Sequence, residues 1–328
     1  MKHVSILVPQ GQYSIVNIAG THQMLGWAND MFLQQARKRL FQVEFVAATR
    51  PAADSLGMYT ITPMRTLDEV ERTDLIIVPA VHEDHAKAIA MNEAAITWIR
   101  ERHHQGASVA AYCIGVFLLA ETGILDGRTC STHWGEAEHL RTMYPEVDVC
   151  SEKIITAQDG VYTSGGAYAF TNLVVHLIER YGGRELAIMT AKTFMIDVDK
   201  CDQSFFSMFS GQKQHDDALV RQVQERIEAR PEEALNVEDL AAGHATNRRT
   251  LERRFRSATG NSILQYMQRV RVESAKHILE QEHKQVADAM YAVGYTDAKA
   301  FRKVFKKHVG VSPSTYRKKF QRAVSLVG

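Results

Sequence analysis

Cys113 is the residue of this 328-residue chain best placed to do chemistry. It ends an apolar run, Ala107–Tyr112, and is followed at once by Ile114, Gly115 and a second apolar run reaching Glu121. A strand that turns directly into a helix holds its cysteine on a sharp elbow, where a helix N-terminus favours the thiolate. Ligand crevices of open α/β sheets lie at that carboxyl edge, so an exposed thiol is one expectation. A small buried cysteine ahead of a helix is the other, and free cysteines are often buried. Histidines raise metal chemistry at His82-Glu83-Asp84-His85 and at His103-His104. His82 and His85 share a face only if the segment is helical, and no cysteine stands at zinc-ligand spacing. Adjacent His103 and His104 point to different faces. Surface or pocket-rim histidines are therefore expected, with no metal and no cofactor.

A different chemistry, contact with polyanions, is written into the last hundred residues, and it is written twice. Residues 246–256 and 296–306 share a Thr at the start, an apolar residue five further on (Leu251, Phe301) and a Phe four after that (Phe255, Phe305). The register extends outward, with Leu240, Ala242, Gly260, Ser262 and Tyr266 matching Met290, Ala292, Gly310, Ser312 and Tyr316. A fixed period of this kind marks a structural repeat. Thr246 and Thr296 are suited to N-cap helices, and the i, i+4 apolar pairs define a buried face. Asn247, Arg248, Arg249, Glu252, Arg253 and Arg256 are then expected to point outward. Lys299, Arg302, Lys303, Lys306 and Lys307 do so in the second copy. Short apolar helices (Val237–Ala242 and Val286–Val293) and turns holding Gly243 or Gly294 precede the caps. Helix, turn and cationic helix form a helix-turn-helix pattern whose second helix can enter a major groove. A long helix, Ile263–Glu280, joins the two units.

Elsewhere apolar runs alternate with helical periodicity. Residues 3–8, Val43–Ala47, Leu75–Val78, Ala107–Tyr112 and Val161–Thr163 read as strands; about 20–40, Ile89–Arg102 and Phe170–Tyr181 read as helices. Such alternation implies an α/β domain with a mostly parallel sheet. Periodicity fades and polarity rises over 197–216, where a linker is expected. Leu219, Val223 and Ile227 then open the next domain with a helical stripe. The expected division is an α/β domain over 1–200, a linker over 201–215 and an all-α domain over 216–328.

Charge follows the same division. The net charge of +1 conceals 21 lysines and arginines against 12 acids in 221–328, a net of +9, while residues 1–220 carry −8. A basic module attached to an acidic one fits double-stranded DNA as the partner of the former. No apolar run approaches the ~18 residues of a membrane helix, the N-terminal run is too short for a signal peptide, and the four cysteines (113, 130, 150 and 201) are scattered. A reduced, cytoplasmic protein without membrane contact is expected.

The segment 292–317, from Ala292-Val293-Gly294-Tyr295 to Ser312-Pro313-Ser314-Thr315-Tyr316-Arg317, resembles the signature of AraC/XylS-type transcription regulators, and the resemblance spans about 216–320. It implies two helix-turn-helix units reading adjacent major-groove segments. The elbow from Ala111 to Arg128, followed by Thr132-His133-Trp134, resembles PfpI-type, class I glutamine amidotransferase-like domains, in particular those fused to AraC-type modules. That likeness spans about 3–195 and implies a flavodoxin-like fold. In enzymes of this superfamily Cys113 would be the nucleophile, Ile114 N–H part of an oxyanion hole, and His133 a neighbour of the pocket. Three departures argue against catalysis: Ile114 stands where peptidase-like members often have His, Asn17 where hydratase-like members have an acid, and Ala80-Val81-His82 where paired glycines are frequent. Asn cannot take a proton as a carboxylate does.

The combined expectation is a homodimeric, ligand-responsive regulator that is not an enzyme. It would activate genes for catabolism of a nitrogenous metabolite and meet RNA polymerase in doing so. Its effector pocket would comprise Asn17, Val81, His82, Cys113, Ile114, His133 and Trp134. Members of the fused type are associated with arginine, glycine betaine and carnitine, so the resemblance implies an amino-acid or quaternary-amine effector. Trp27, Trp98 and Trp134 are candidates for an aromatic face toward such a cation. The alternative is a Cys-dependent hydrolase or amidase with an accessory DNA-binding tail.

Overall fold

The computed structural model describes residues 1–50, 52–53, 60–199, 202–213 and 215–321. Contacts divide the chain into two units, Met1–Gln203 and Ser204–Gly328. The expected fold class holds for both.

In the first unit the seven strands of the main sheet are β1 (Lys2–Leu7), β2 (Phe41–Ala47), β3 (Arg65–Thr66), β4 (Leu75–Val78), β5 (Ser108–Tyr112), β6 (Ile155–Gln158) and β7 (Val161–Ser164), and two short two-stranded ribbons lie outside it. Their order across the sheet is β6-β7-β5-β4-β1-β2-β3, with only β6 antiparallel to its neighbour. The helices are α1 (Ile15–Ala36), α2 (His85–Met91), α3 (Glu93–His104), α4 (Val116–Glu121), α5 (Ala137–Met143), α6 (Phe170–Gly182) and α7 (Arg184–Thr193). Strand residues alternate between two apolar layers, as the period of two requires. Leu7, Ile76, Val78, Val109 and Ala111 pack with Trp98, Val116, Phe117 and Leu140. Val4, Ile6, Leu75, Ile77 and Tyr112 face the other way, against Ile18, Leu25, Phe170 and Leu173. Helices cover both faces, which explains why the parallel strands read as continuous apolar runs.

Two element boundaries depart from the sequence reading. The helix expected to start near residue 20 begins at Ile15, where the Ser14 hydroxyl accepts the Asn17 N–H. The single helix expected over 89–102 is two, parted at Asn92. The Asn92 side chain bonds the Ala88 carbonyl and both backbone groups of Gln10, competing with the helix ladder as short amides do.

The second unit is all helical: α8 (Ala218–Ala229), α9 (Val237–Gly243), α10 (Arg248–Thr259), α11 (Ile263–Glu280), α12 (Val286–Ala292), α13 (Ala298–Val309) and α14 (Pro313–Phe320). It has one apolar cluster per half. Leu251 and Phe255 lie with Val223, Ile227 and Tyr266; Phe301 and Phe305 lie with Leu279, Met290 and Tyr316. The stretch read as a linker, 201–215, is anchored on both sides of the division, although Cys201 and Gln214 lie outside the described residues. Gln203 is 3% exposed within the first unit. In the second, Phe205 packs against Tyr316, Phe209 against Tyr266, and the buried Lys276 ammonium bonds the Ser207 carbonyl.

Candidate sensor edge and nucleic-acid interface

Helix-turn-helix geometry comes from the caps. The N-caps are Asn247 and Asp297, one residue later than the threonines expected: Asn247 accepts the Thr250 N–H, and Asp297 those of Lys299 and Ala300. Short carboxylate and amide caps compete well with Thr, and the Thr246 N–H is committed to the Ala241 carbonyl. The matching bond in the second copy runs from Tyr295 N–H to Met290 O, a spacing of 49 residues rather than 50. The α12–α13 turn is therefore one residue longer than the α9–α10 turn. Leu240 and Ala241 correspond in burial to Ala289 and Met290, which corrects by one residue the pairing of Leu240 with Met290 and of Ala242 with Ala292. The left-handed turn residue also differs from expectation. It is Ala245 (φ 49) in the first copy, with Gly243 still inside α9, and Gly294 (φ 79) in the second.

Both helices α10 and α13 bury their Leu/Phe and Phe/Phe pairs and turn cations outward. Arg249, Arg253 and Arg256, with Lys299, Arg302, Lys303, Lys306 and Lys307, are exposed and have no ion-pair partner among the described residues. Arg248 differs: it pairs with Glu238 of α9 and Glu252 one turn along α10. Glu252 is thus an internal counter-ion, and the Asn247 side-chain oxygen is occupied by the cap. Arg254, not singled out from the sequence, holds α10 against α8 through both oxygens of Asp217, at 2.8 and 2.6 Å.

In the first unit the expected pocket residues converge on the carboxyl edge of the sheet, but three of them are closed off. Asn17, Val81 and Cys113 are 2%, 2% and 4% exposed. Asn17 accepts the Ala80 N–H at 3.2 Å and donates to the Ala167 carbonyl at 3.4 Å. A carboxylate could make only the first of these bonds, so Asn suits a structural tie between two edge loops. Val81 bridges to Tyr13, and the His82 N–H bonds the Gln12 carbonyl. His82 is exposed, Ile114 and Trp134 are half-buried, and the His133 ring lies tilted against Trp134 with centroids 4.9 Å apart. Burial depresses the His133 pKa, with Glu136 opposing and His82 reinforcing the shift.

Cys113 sits on the expected elbow, with the left-handed φ of 54 that nucleophile turns require. Gly115 makes the turn feasible, since a Cβ there would fall 2.3 Å from the Pro79 carbonyl oxygen. The exposed thiolate is not found. Burial pushes the Cys113 thiol up to about 11, outweighing the Ile114 N–H that bonds it, and Glu136 adds to the rise. Thr132, singled out in the sequence only as part of the Thr-His-Trp segment and given no role there, donates its hydroxyl to the Cys113 carbonyl at 2.9 Å. The Thr132 carbonyl accepts from the Gln203 amide at 2.8 Å, and the Gln203 side-chain oxygen accepts the Gly166 N–H at 3.0 Å. The last residue of the unit is thereby bonded to the elbow's neighbours. Of the three tryptophans, Trp98 is core and Trp27 packs on Phe194, which leaves Trp134 at the edge.

Of the histidines, His82 does not share a helix face with His85, because Asp84 caps α2 and His85 is its first residue. His85 instead meets Glu136 at 3.0 Å, and His139 meets the same carboxylate oxygen at 3.5 Å. The cluster brings His85 to a Glu136/His139 pair that lies 51 residues further along the chain, a juxtaposition that the spacing around His82 and His85 did not signal. His103 bonds the Ala107 carbonyl at 2.8 Å, and with His104, Thr122–Ile124 and Arg128 it lines an open surface pocket of about 370 Å³.

An α/β unit with a buried cysteine elbow, joined to two cationic helix-turn-helix copies, defines a DNA-binding regulator with a PfpI-type domain. The comparisons agree: the DJ-1/PfpI family matches residues 31–180 and a helix-turn-helix domain family matches 240–319. The chain thus carries a DJ-1/PfpI-type domain followed by an AraC-type helix-turn-helix domain. It is similar to the HTH-type transcriptional regulator GbdR of Pseudomonas aeruginosa, 25% identical over 316 residues, covering 93% of this chain and 81% of that one. CdhR of the same organism is 26% identical over 269 residues, covering 81% and 78%. A solved chain from Vibrio parahaemolyticus, 22% identical, superposes with a TM-score of 0.53 over 60% of this chain and 99% of its own, which shows the fold. Among the described residues no helix is long and apolar enough to cross a membrane.

Proposed function

We propose that the first unit senses a small metabolite at the Cys113 edge and dimerises, and that the second binds duplex DNA through α10 and α13. The observation that carries this is the doubled motif with unpaired cations facing outward on both copies. The recognition helices would enter successive major grooves, about 34 Å apart along the duplex. Asn247, Arg248, Arg249, Glu252, Arg253, Lys299, Arg302 and Lys303 form the proposed groove-facing set, and Arg256, Lys306 and Lys307 the phosphate-facing set. The proposed effector pocket keeps Asn17, Val81, His82, Cys113, Ile114, His133 and Trp134, with the buried members forming its floor. Gln203, bonded to Thr132 and Gly166, gives a route by which movement at that edge reaches the start of the DNA-binding unit.

We read the protein as an activator that recruits RNA polymerase to genes for catabolism of a nitrogenous metabolite, and as a non-enzyme. The buried, protonated thiol and Asn17 in place of an acid support the latter, because a nucleophilic cysteine needs a base or a lowered pKa. The test uses the full-length protein, the DNA recovered by genomic footprinting, and a pool of amino-acid and quaternary-amine metabolites followed by NMR. Saturation transfer to one compound that persists for hours and alters DNA affinity is the expected result. Consumption of a compound by wild type but not by Cys113→Ala would establish a hydrolase instead.

A further inference from the structure

We propose that His85, Glu136 and His139 bind a first-row divalent cation such as Zn²⁺, a site that goes beyond the regulator reading. Their donor atoms all lie within 4.8 Å of one another. His85 Nε2 and His139 Nδ1 approach the same Glu136 oxygen at 3.0 and 3.5 Å. A tetrahedral ion with bonds of about 2.0–2.2 Å spaces its ligand atoms about 3.4 Å apart, so rotamer-scale adjustment closes the set. Two imidazoles and one carboxylate are the donors of three-ligand zinc sites, and they suit nickel, cobalt and ferrous ions as well.

The ligands are held from two sides. His85 is 8% exposed and lies flat on Phe117, with ring centroids 3.6 Å apart and planes 8° from parallel. That stacking fixes where Nε2 points before an ion arrives. Glu136 is the N-cap residue of α5 and His139 lies in its first turn, so a Glu-x-x-His spacing brings both side chains to the start of that helix. A bound ion would therefore tie the start of α2 to the start of α5, beside the α4 helix that begins at the cysteine elbow. The side chains of Glu136 and His139 are 38% and 41% exposed, so the ion is reached from solvent and keeps coordination positions for water or a small ligand.

The experiment uses untagged, reduced, chelator-stripped full-length protein without DNA or metabolite, titrated with Zn²⁺ against a chromophoric chelator. Co²⁺ absorption serves as a second readout. One Zn²⁺ per chain is expected, bound at least tenfold more weakly by Glu136→Gln and by His139→Gln, with the visible Co²⁺ bands lost in both. Both positions are partly exposed, so their variants should retain the wild-type circular dichroism. The controls Cys150→Ser and the His103→Gln, His104→Gln pair should bind as wild type does. Equal affinity in all variants, or no binding below millimolar Zn²⁺, overturns the proposal. Since no DNA is present, that failure would leave the regulator reading untouched.

Discussion

Arg254 of the first recognition helix grips both carboxylate oxygens of Asp217, the N-cap of α8. The bond pulls Asp217 well below the usual carboxylate range. One carboxylate thus caps one helix and fixes the roll of another, which sets where Arg249 and Arg253 point. Asp217→Asn should keep the cap and lose the ion pair, while Asp217→Ala loses both. Thermal denaturation should place the Ala variant below the Asn variant by about 1 kcal/mol, the usual worth of a cap. DNA affinity should fall in both. Unchanged affinity in both variants would show that Asp217 does not position α10.

The two turns differ in a way that stability can read. Ala245 occupies the left-handed conformation that Gly294 occupies in the other copy. An L-residue there costs roughly 1–2 kcal/mol that Gly avoids. Ala245→Gly should therefore raise the melting temperature, in spite of the greater freedom it gives the unfolded chain. Gly294→Ala should lower it by more than the conformational term alone, since its Cβ would lie 2.4 Å from the Glu232 carbonyl oxygen. A gain on Gly294→Ala would contradict the assigned turn.

These turns mark how far the sequence could be read. The repeat, the buried Leu251/Phe255 and Phe301/Phe305 faces and α11 were legible because apolar periodicity and charge point the same way at each position. The cap shift to Asn247 and Asp297 was not, because Thr-Asn and Thr-Asp each offer two adjacent capping residues and only the backbone path of each turn decides which side chain reaches the first-turn N–H groups. In the first unit the strands were legible as apolar runs and the elbow from its strand-to-helix junction. Burial of Cys113 was left open, since an exposed thiol and a small buried cysteine fit the same strand-to-helix junction and no local pattern chooses between them. For the same reason Gln203, polar and within a polar stretch, read as linker.

Cys113 should be a poor nucleophile. With its thiol pushed up from the ordinary 9.0 to about 11, the thiolate fraction at neutral pH falls by on the order of 100-fold. Iodoacetamide labelling of native, chelator-treated protein, followed by peptide mass spectrometry, should modify Cys113 at least that much more slowly than free cysteine. Rapid labelling at pH 7 would return the hydrolase reading to contention.

His308, in the last turn of α13, is the group whose titration should weaken the DNA-binding unit. Burial, with Arg269 and Lys307 adding repulsion, lowers it to about 4, and its Nε2 has no hydrogen-bond partner among the described residues. A depressed histidine pKa means that the unfolded chain takes up the proton first as pH falls. Stability is then level above about 6.5 and declines between about 6.5 and 4. The melting temperature of full-length protein should fall over that window, with a shallower fall in His308→Gln. Identical slopes would assign the acid sensitivity to other groups.

Arg248 and Arg249 are neighbours on α10 with different expected roles at DNA. Arg248 is held by Glu238 and Glu252, so any base contact it makes must first give up those partners. Arg249 is exposed and without an ion-pair partner among the described residues, and its guanidinium is free to take a guanine edge with two bonds. Arg249→Ala should then cost about 1–3 kcal/mol and relax sequence preference at one position. Arg248→Ala should cost less, because it also releases two acids. Lys307→Ala should weaken all sequences alike and reduce the slope of log affinity against log salt by about 0.9. Anisotropy titrations on the footprinted site and on single-base variants, at several salt concentrations, separate the three. If Arg249→Ala left both affinity and sequence preference unchanged, α10 would have to read the groove from Arg253 instead.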